Sequence, residues 1–376
     1  MDLSANTLKF KVRASIVDTI IGELFFGEAD GESDDDDDAN EGQEDDGAVA
    51  TRALALQKRN VTFTDLEGKL HSVVNKNVPH FELATDFMAI GMSFRQITAE
   101  IIKTHTRTKN AKLAGISDYM VTGFARMLAA VGLQVMSDLL ISNESFAFAL
   151  APDSNSLYES SYLNIRLRVA WGSVLFNLHA VVLPMYERHT ANYCISLIVR
   201  TLDAIAPIWR DKLLGVGSVG ENTMTGRHSG VVTQLVAMAT YPTVLNPYRD
   251  RLHQCWSPAK VEQIEEEHKM LFTAYRDDTN FRAKLDKHTH MTGFNAGWSD
   301  IDNNGRKLAT IRSFMANLAV VFANTASVEG DFSILKGEKD EFRTSLGHLA
   351  LEGIFQAKQF EQIRKQYSLL LPSASA

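Results

Sequence analysis

The hydrophobic period changes twice along this chain, and that change limits its architecture more than any single residue does. Over 85–105, Phe87, Ile90, Phe94, Ile97, Ile101 and Ile102 recur three or four residues apart, the spacing of a helix with one buried side. A second helix is predicted over 117–140, where Tyr119, Phe124, Met127, Leu128, Val131, Val135 and Leu139 keep that spacing. Then the period drops to two. Residues 146–151 are a short apolar run ending at Pro152-Asp153. Over 162–171, Leu163, Ile165, Leu167 and Val169 alternate with Asn164, Arg166 and Arg168. A third run, 173–183, lies one Trp171-Gly172 turn further on. Helix over 190–205, strand over 212–219 and helix over 226–240 follow. Beyond Tyr241-Pro242 the helical spacing returns, over 258–274, 281–285, 308–323, 327–338 and 346–367.

Three strands, a helix, a strand and a helix predict an α/β protein. The order is that of a ribonuclease H-like mixed sheet with flanking helices, here preceded by a helical region and followed by another. At about 150 residues per domain, 376 residues predict two or three domains. The segments divide into an N-terminal helix (1–27, with Ile16, Ile20, Ile21, Leu24 and Phe25), an acidic disordered linker (28–60) and a helical region (81–142). After these come the sheet-bearing core (143–240), a helical segment (241–323) and a C-terminal helical region (324–376).

Charge is uneven. Twelve of the 46 acidic residues fall between Glu28 and Asp46, where there is no Lys or Arg, so the net charge of −8 belongs to that stretch. The other 34 acids face 38 Lys and Arg, which makes the remainder mildly basic. The acidic run cannot bury apolar surface and repels itself. It reads as a solvated linker or as a mimic of nucleic acid. A basic stretch, Lys103, His105, Arg107, Lys109 and Lys112, separates the first two helices and reads as a solvated loop or a phosphate contact. Two cysteines, Cys194 and Cys255, exclude a disulfide scaffold and a cysteine-rich zinc finger. No apolar run is expected to reach the 18 or so residues that cross a bilayer, and the N-terminus lacks the layout of a signal peptide. An intracellular protein with no membrane partner and no small-molecule cofactor is the expectation.

Three runs carry a resemblance. One is Leu178-His179-Ala180-Val181-Val182-Leu183-Pro184, continued by Arg188-His189-Thr190-Ala191. The second is LDAIAPIWRDKLLGVG over 202–217, leading into MTGRHSGVVT over 224–233. The third is NTASVEGDFS over 324–333, continued by Lys339-Asp340-Glu341-Phe342-Arg343-Thr344-Ser345-Leu346 and Leu351-Glu352-Gly353-Ile354. In this order they resemble the hAT superfamily of transposases, across roughly residues 81–240 and 260–368.

The resemblance implies a cut-and-paste DNA transposase with a ribonuclease H-like core, acting in the nucleus. Three carboxylates would hold two Mg²⁺ or Mn²⁺ ions that activate a nucleophile and stabilise a leaving oxygen. The first acid falls on Asp153 and the third on Glu329. The second should stand between Ser218 and Gly220, where this chain has Val219. Glu221 is a possible substitute acid. The family's C-terminal region implies a homodimer, and Leu346, Leu349, Ile354, Phe355 and Phe360 are the apolar residues expected to bury against a partner chain. The family's zinc-binding finger has no cysteines to build it here, and only 110 residues separate 219 from 329, so the family's helical insertion is cut down. His179, His189 and His228 are assigned to packing or surface hydrogen bonds. The sequence therefore reads as a truncated, degenerate transposase-derived protein that keeps fold and dimerisation but not strand transfer. The alternatives are an active divalent-metal-dependent transposase or nuclease, and a DNA-binding regulator without catalysis.

Overall fold

The computed structural model describes residues 7–25, 61–66, 68–145, 147–157, 160–171, 173–218, 222–226, 229–239, 256–289, 292–302, 307–320, 326–338 and 347–370. The expected linker over 28–60, with its acidic run, lies outside the described residues. The chain enters on a strand, β1 (Leu8–Arg13), where a helix over 1–27 was expected. Leu8, Phe10 and Val12 turn inward while Lys9 and Lys11 face out, a period of two that is easily lost beside the helical run after it. That run is α1 (Ile16–Leu24), wound with π geometry and burying Ile16, Ile20, Ile21 and Leu24. β2 (Val61–Leu66) and β3 (Leu70–Asn75), to which no periodicity pointed, complete an antiparallel sheet in the order β1-β3-β2.

Three helices follow: α2 (Val78–Ala89), α3 (Phe94–Thr108) and α4 (Asp118–Ile141). Ser93 and Ser117 cap α3 and α4 with their side chains. α4 corrects one expectation, because it is long and apolar enough to cross a membrane. It spends that apolar surface inside the protein: 78% of its most apolar stretch is buried.

The second sheet holds β4 (Phe148–Leu157), β5 (Ser160–Trp171), β6 (Val174–Met185) and β7 (Leu213–Val216) in the order β6-β5-β4-β7. β4, β5 and β6 form an antiparallel meander, and β7 joins β4 in parallel. Between β6 and β7 lie α5 (Ala191–Ile205) and the short α6 (Trp209–Lys212). After β7 come α7 (Asn222–Thr225) and α8 (Val231–Met238). β4 runs through Pro152-Asp153, which the sequence reading took as its end. Proline fits for a geometric reason. Leu150 turns its carbonyl towards β7, where Gly217 N donates to it at 2.8 Å. Pro152, two residues on, turns its missing N–H to the same side, past the last paired residue, Val216.

The remaining helices are α9 (Pro258–Asp277), α10 (Thr279–Leu285), α11 (Phe294–Ile301), α12 (Ala309–Ala319), α13 (Ala326–Glu338) and α14 (His348–Leu370). They cover a sheet face that alternation alone assigns to solvent. One face of the second sheet presents Leu163, Ile165, Leu167, Leu178, Val181 and Leu183 to a core shared with α4 and α5. The other carries Asn164 and Arg166, and α12, α13 and α14 pack against the strands.

α14 crosses α4 at very close range. A Cβ on Gly353 would stand 2.9 Å from the Cβ of Ala125 and 3.4 Å from Met88 Sδ. Phe81 meets Phe124 on α4 and Phe360 on α14 edge-on, with ring centroids 5.7 Å apart in both pairs. One apolar cluster thereby runs from Leu8 in β1 to Ile363 in α14. Gly353→Val should force α14 away from α4. A loss of about 1–3 kcal/mol is expected from urea unfolding, whereas Gly347→Ala, with open space around its Cβ position, should change little.

Candidate functional site

The covered face of the second sheet is polar at its centre. Register puts Asp153 on β4 opposite Asn164 on β5, so their side chains share that face. Asn164 Nδ2 donates to Asp331 Oδ2 on α13 at 2.8 Å. Arg166, two residues along β5, donates from one guanidinium nitrogen to both Asp331 oxygens, at 2.6 and 2.5 Å. His179 on β6 pairs with Arg166 across the strands, beside a bulge at Ala180. Its Nε2 meets Glu352 Oε2 on α14 at 3.1 Å, and its Nδ1 lies 3.8 Å from Asp331 Oδ2, an ion contact too long for a hydrogen bond. Phe355 stacks on the imidazole, with centroids 4.7 Å apart.

α14 also completes the sheet edge. β6 is the outer strand, and some of its backbone groups face away from β5. Glu352 Oε2 accepts from Val182 N at 2.9 Å, and Gln356 Nε2 donates to Ala180 O at 3.0 Å. Gln359 accepts from His179 N at 3.1 Å and donates to His179 O at 2.7 Å. Three polar side chains on one helix thus stand where a neighbouring strand would be. They satisfy buried backbone groups that would otherwise cost free energy.

The cluster balances two carboxylates against Arg166 and His179. Burial alone would keep the imidazole neutral, but Glu352 and Asp331 outweigh it and push His179 up to about 9. Burial alone would likewise raise Asp331, but His179, Arg166 and Asn164 together hold it below the usual carboxylate range.

The expected site residues fare differently. Asp153 is buried within β4, and its Oδ1 accepts from Ser154 N at 2.9 Å. α13, the helix of Glu329, packs on β4, the strand of Asp153, and on β5. The Glu329 side chain, Val219 and Glu221 lie outside the described residues. Among the described residues, no three His, Cys, Asp or Glu side chains group as metal ligands. The carboxylate that α13 does bring to the sheet, Asp331, is neutralised by Arg166 on both oxygens. These described residues do not fit a divalent cation, because a fixed guanidinium already supplies the positive charge.

The residues expected to dimerise pack inside this chain. Leu349, Ile354 and Phe355 are buried within this chain, and half-buried Phe360 packs on its core. Their apolar surface is used against α2, α4 and β6 and is not presented to a partner; Leu346 lies outside the described residues. His179, assigned to packing, is the charged centre of the cluster. His189 fits its assignment, with Nε2 2.7 Å from Ser154 Oγ, and His228 lies outside the described residues. Sequence reasoning missed Asn164, Arg166, Asp331, Glu352, Gln356 and Gln359. The available signal was Glu352, Gln356 and Gln359 at spacings of four and three, on the helical side that also carries Leu349 and Phe355. Compared with known proteins, the chain matches no family model and no curated protein.

Removing Glu352 would leave buried His179 with only its longer contact to Asp331, and Val182 N without its acceptor. Glu352→Ala should cost about 3–5 kcal/mol in denaturant unfolding, and Glu352→Gln, which keeps the backbone acceptor, should cost less. The raised His179 gives a signed pH dependence. Its contribution is complete below 6.5, the ordinary value, and is lost as pH rises through about 9. The urea midpoint of the wild type should fall over that interval, and His179→Gln should flatten the fall.

Proposed function

We propose that this chain is a transposase-derived, hAT-like protein that keeps a ribonuclease H-like core and does not carry out strand transfer. The observation that carries the fold part of this reading is the order β6-β5-β4-β7, with β4 central, a three-strand meander and a parallel fourth strand. Asp153 on that central strand, and α13 packed against it, support the same reading. On this reading the protein acts in the nucleus.

The absence of strand transfer is supported by chemistry on the same face. Two-metal catalysis needs carboxylates free to bridge cations. Val219 stands where the resemblance calls for the second acid. Arg166 engages Asp331, two residues past Glu329, and brings a permanent positive charge next to Asp153 and Asn164. A cation would have to displace that charge or sit against it. The proposal does not lean on the expected dimerisation residues, because those side chains are consumed inside the chain.

Isothermal calorimetry with Mg²⁺ and Mn²⁺, paired with a DNA-end cleavage assay, tests it. No stoichiometric cation binding and no cleavage are expected from the wild type. Binding of two cations, with cleavage abolished by Asp153→Ala, would make the protein an active enzyme and overturn the proposal.

A further inference from the structure

The first sheet has two unlike faces. Register places Leu8, Asn75 and Val61 in one row and Phe10, Val73 and Phe63 two residues on, and these side chains turn inward. α1 and α4 pack on that side. The other face carries Lys9, Val74 and Thr62 in one row and Lys11, Ser72 and Thr64 in the next. Lys9, Lys11 and Thr64 are exposed, and Thr62, Ser72 and Val74 are half-buried. Exposed Lys76 follows Asn75 at the end of β3. The outer face thus combines lysines with a group of hydroxyls. Its lysines have no acid of their own among the described residues. Asp18 is held by His71 at 3.0 Å and Glu23 by Arg200 at 2.6 Å, and Asp65 Oδ1 accepts from Gly68 N at 2.9 Å.

The complementary charge lies on the same chain, between elements of the same region. Residues 26–60 stand between Phe25, which follows α1, and Val61, which opens β2. Within them, 12 acids and no Lys or Arg fall between Glu28 and Asp46. An extended Asp34-Asp35-Asp36-Asp37-Asp38 presents alternate carboxylates about 7 Å apart, which is also the spacing of Lys9 and Lys11 along β1. Val61 shares a row with Leu8 across β3, and two strand spacings amount to about 10 Å. From Asp46 to Val61 the sequence advances 15 residues, a reach of up to about 50 Å. From Phe25 to Asp34 it advances nine, a reach of up to about 30 Å. Neither anchor keeps the run from the outer face, and so short a tether gives a local concentration in the roughly millimolar range.

We propose that the outer face of the first sheet is the docking surface for the acidic run 28–46 of its own chain. Lys9, Lys11 and Lys76 pair with the carboxylates, and Thr62, Thr64 and Ser72 donate hydrogen bonds to them. The contact is electrostatic and solvent-facing, so salt screens it. Its consequence is regulatory: the run occupies this basic face and withholds it from other anionic partners. The competing cations on this chain, exposed Lys109 and Lys112 beyond α3, carry neither anchor of the run.

Zero-length carbodiimide cross-linking of the full chain at low salt, read by peptide mass spectrometry, tests the proposal. Amide links from acids of 28–46 to Lys9, Lys11 and Lys76 should outnumber links to Lys109 and Lys112 by roughly tenfold. They should vanish at about 1 M salt, where the Debye length is about 3 Å. Thr62→Glu/Thr64→Glu places two acids on the face and leaves every lysine in position, so the yield should fall roughly tenfold. Lys11→Gln, a fully exposed change, should lower the links to Lys9 and Lys76 in the same direction, and circular dichroism establishes that each variant is folded. A mixture of ¹⁵N-labelled and unlabelled chains should give links within one isotope only. The proposal is overturned by no links to the three lysines, by equal links to Lys109 and Lys112, or by a yield indifferent to salt and to the variants. Links that join labelled to unlabelled chains also overturn it, because the run would then dock on a second copy.

Discussion

The buried ion cluster on the covered face of the second sheet decides how the rest of the chain is arranged. Arg166 and His179 come from adjacent strands, and Asp331 and Glu352 come from two helices far along the sequence. Four charges leave water only if each finds a partner, because an uncompensated buried charge costs several kcal/mol. The helices therefore cannot slide along the sheet without exposing or orphaning a charge. Buried ion pairs add little net stability compared with apolar packing. Their value in this position is registration: they specify which turn of α13 faces β5 and which turn of α14 faces β6.

α14 joins two tasks that are usually separate. Leu351, Ile354 and Phe355 pack with Tyr162 and Val182 on the polar face, while Gly353 lets α4 approach on another side. Glu352, Gln356 and Gln359 meanwhile close the β6 edge, which would otherwise invite strand addition from another chain. The bulge at Ala180 matters to this arrangement. It adds one residue to β6 between Val181 and His179, and the Ala180 carbonyl is the one that Gln356 reaches. The same helix thus explains why the proposed dimer side chains are unavailable and why buried glutamine and glutamate are tolerated.

The mixed α/β class, the meander and most helices were legible from period alone, because each strand keeps its apolar alternation and each helix its three- and four-residue spacing. β1 was not, since three apolar residues ahead of a helical run make too short a signal. β2 and β3 carry Thr, Asp, His and Ser between their few apolar residues, and their burial comes from the neighbouring strand and α4. The polar cluster was illegible for a different reason. Asn164 and Arg166 look like the wet half of an amphipathic strand, and only the distant α13 and α14 make that half interior. Asp153 could be located but its setting could not: Pro152 suggests a turn unless the end of β7 is known.

Native-state hydrogen exchange at single-residue resolution tests most directly whether the ion cluster binds α14 and the sheet into one unit. The amides of His179 and Val182 on β6 and those of Ile354 and Phe355 on α14 should exchange with the same opening free energy, close to that of global unfolding. Exchange of α14 several kcal/mol more easily than β6, with β6 remaining protected, would show that the helix opens alone. The cluster would then not be the constraint on which the fold depends.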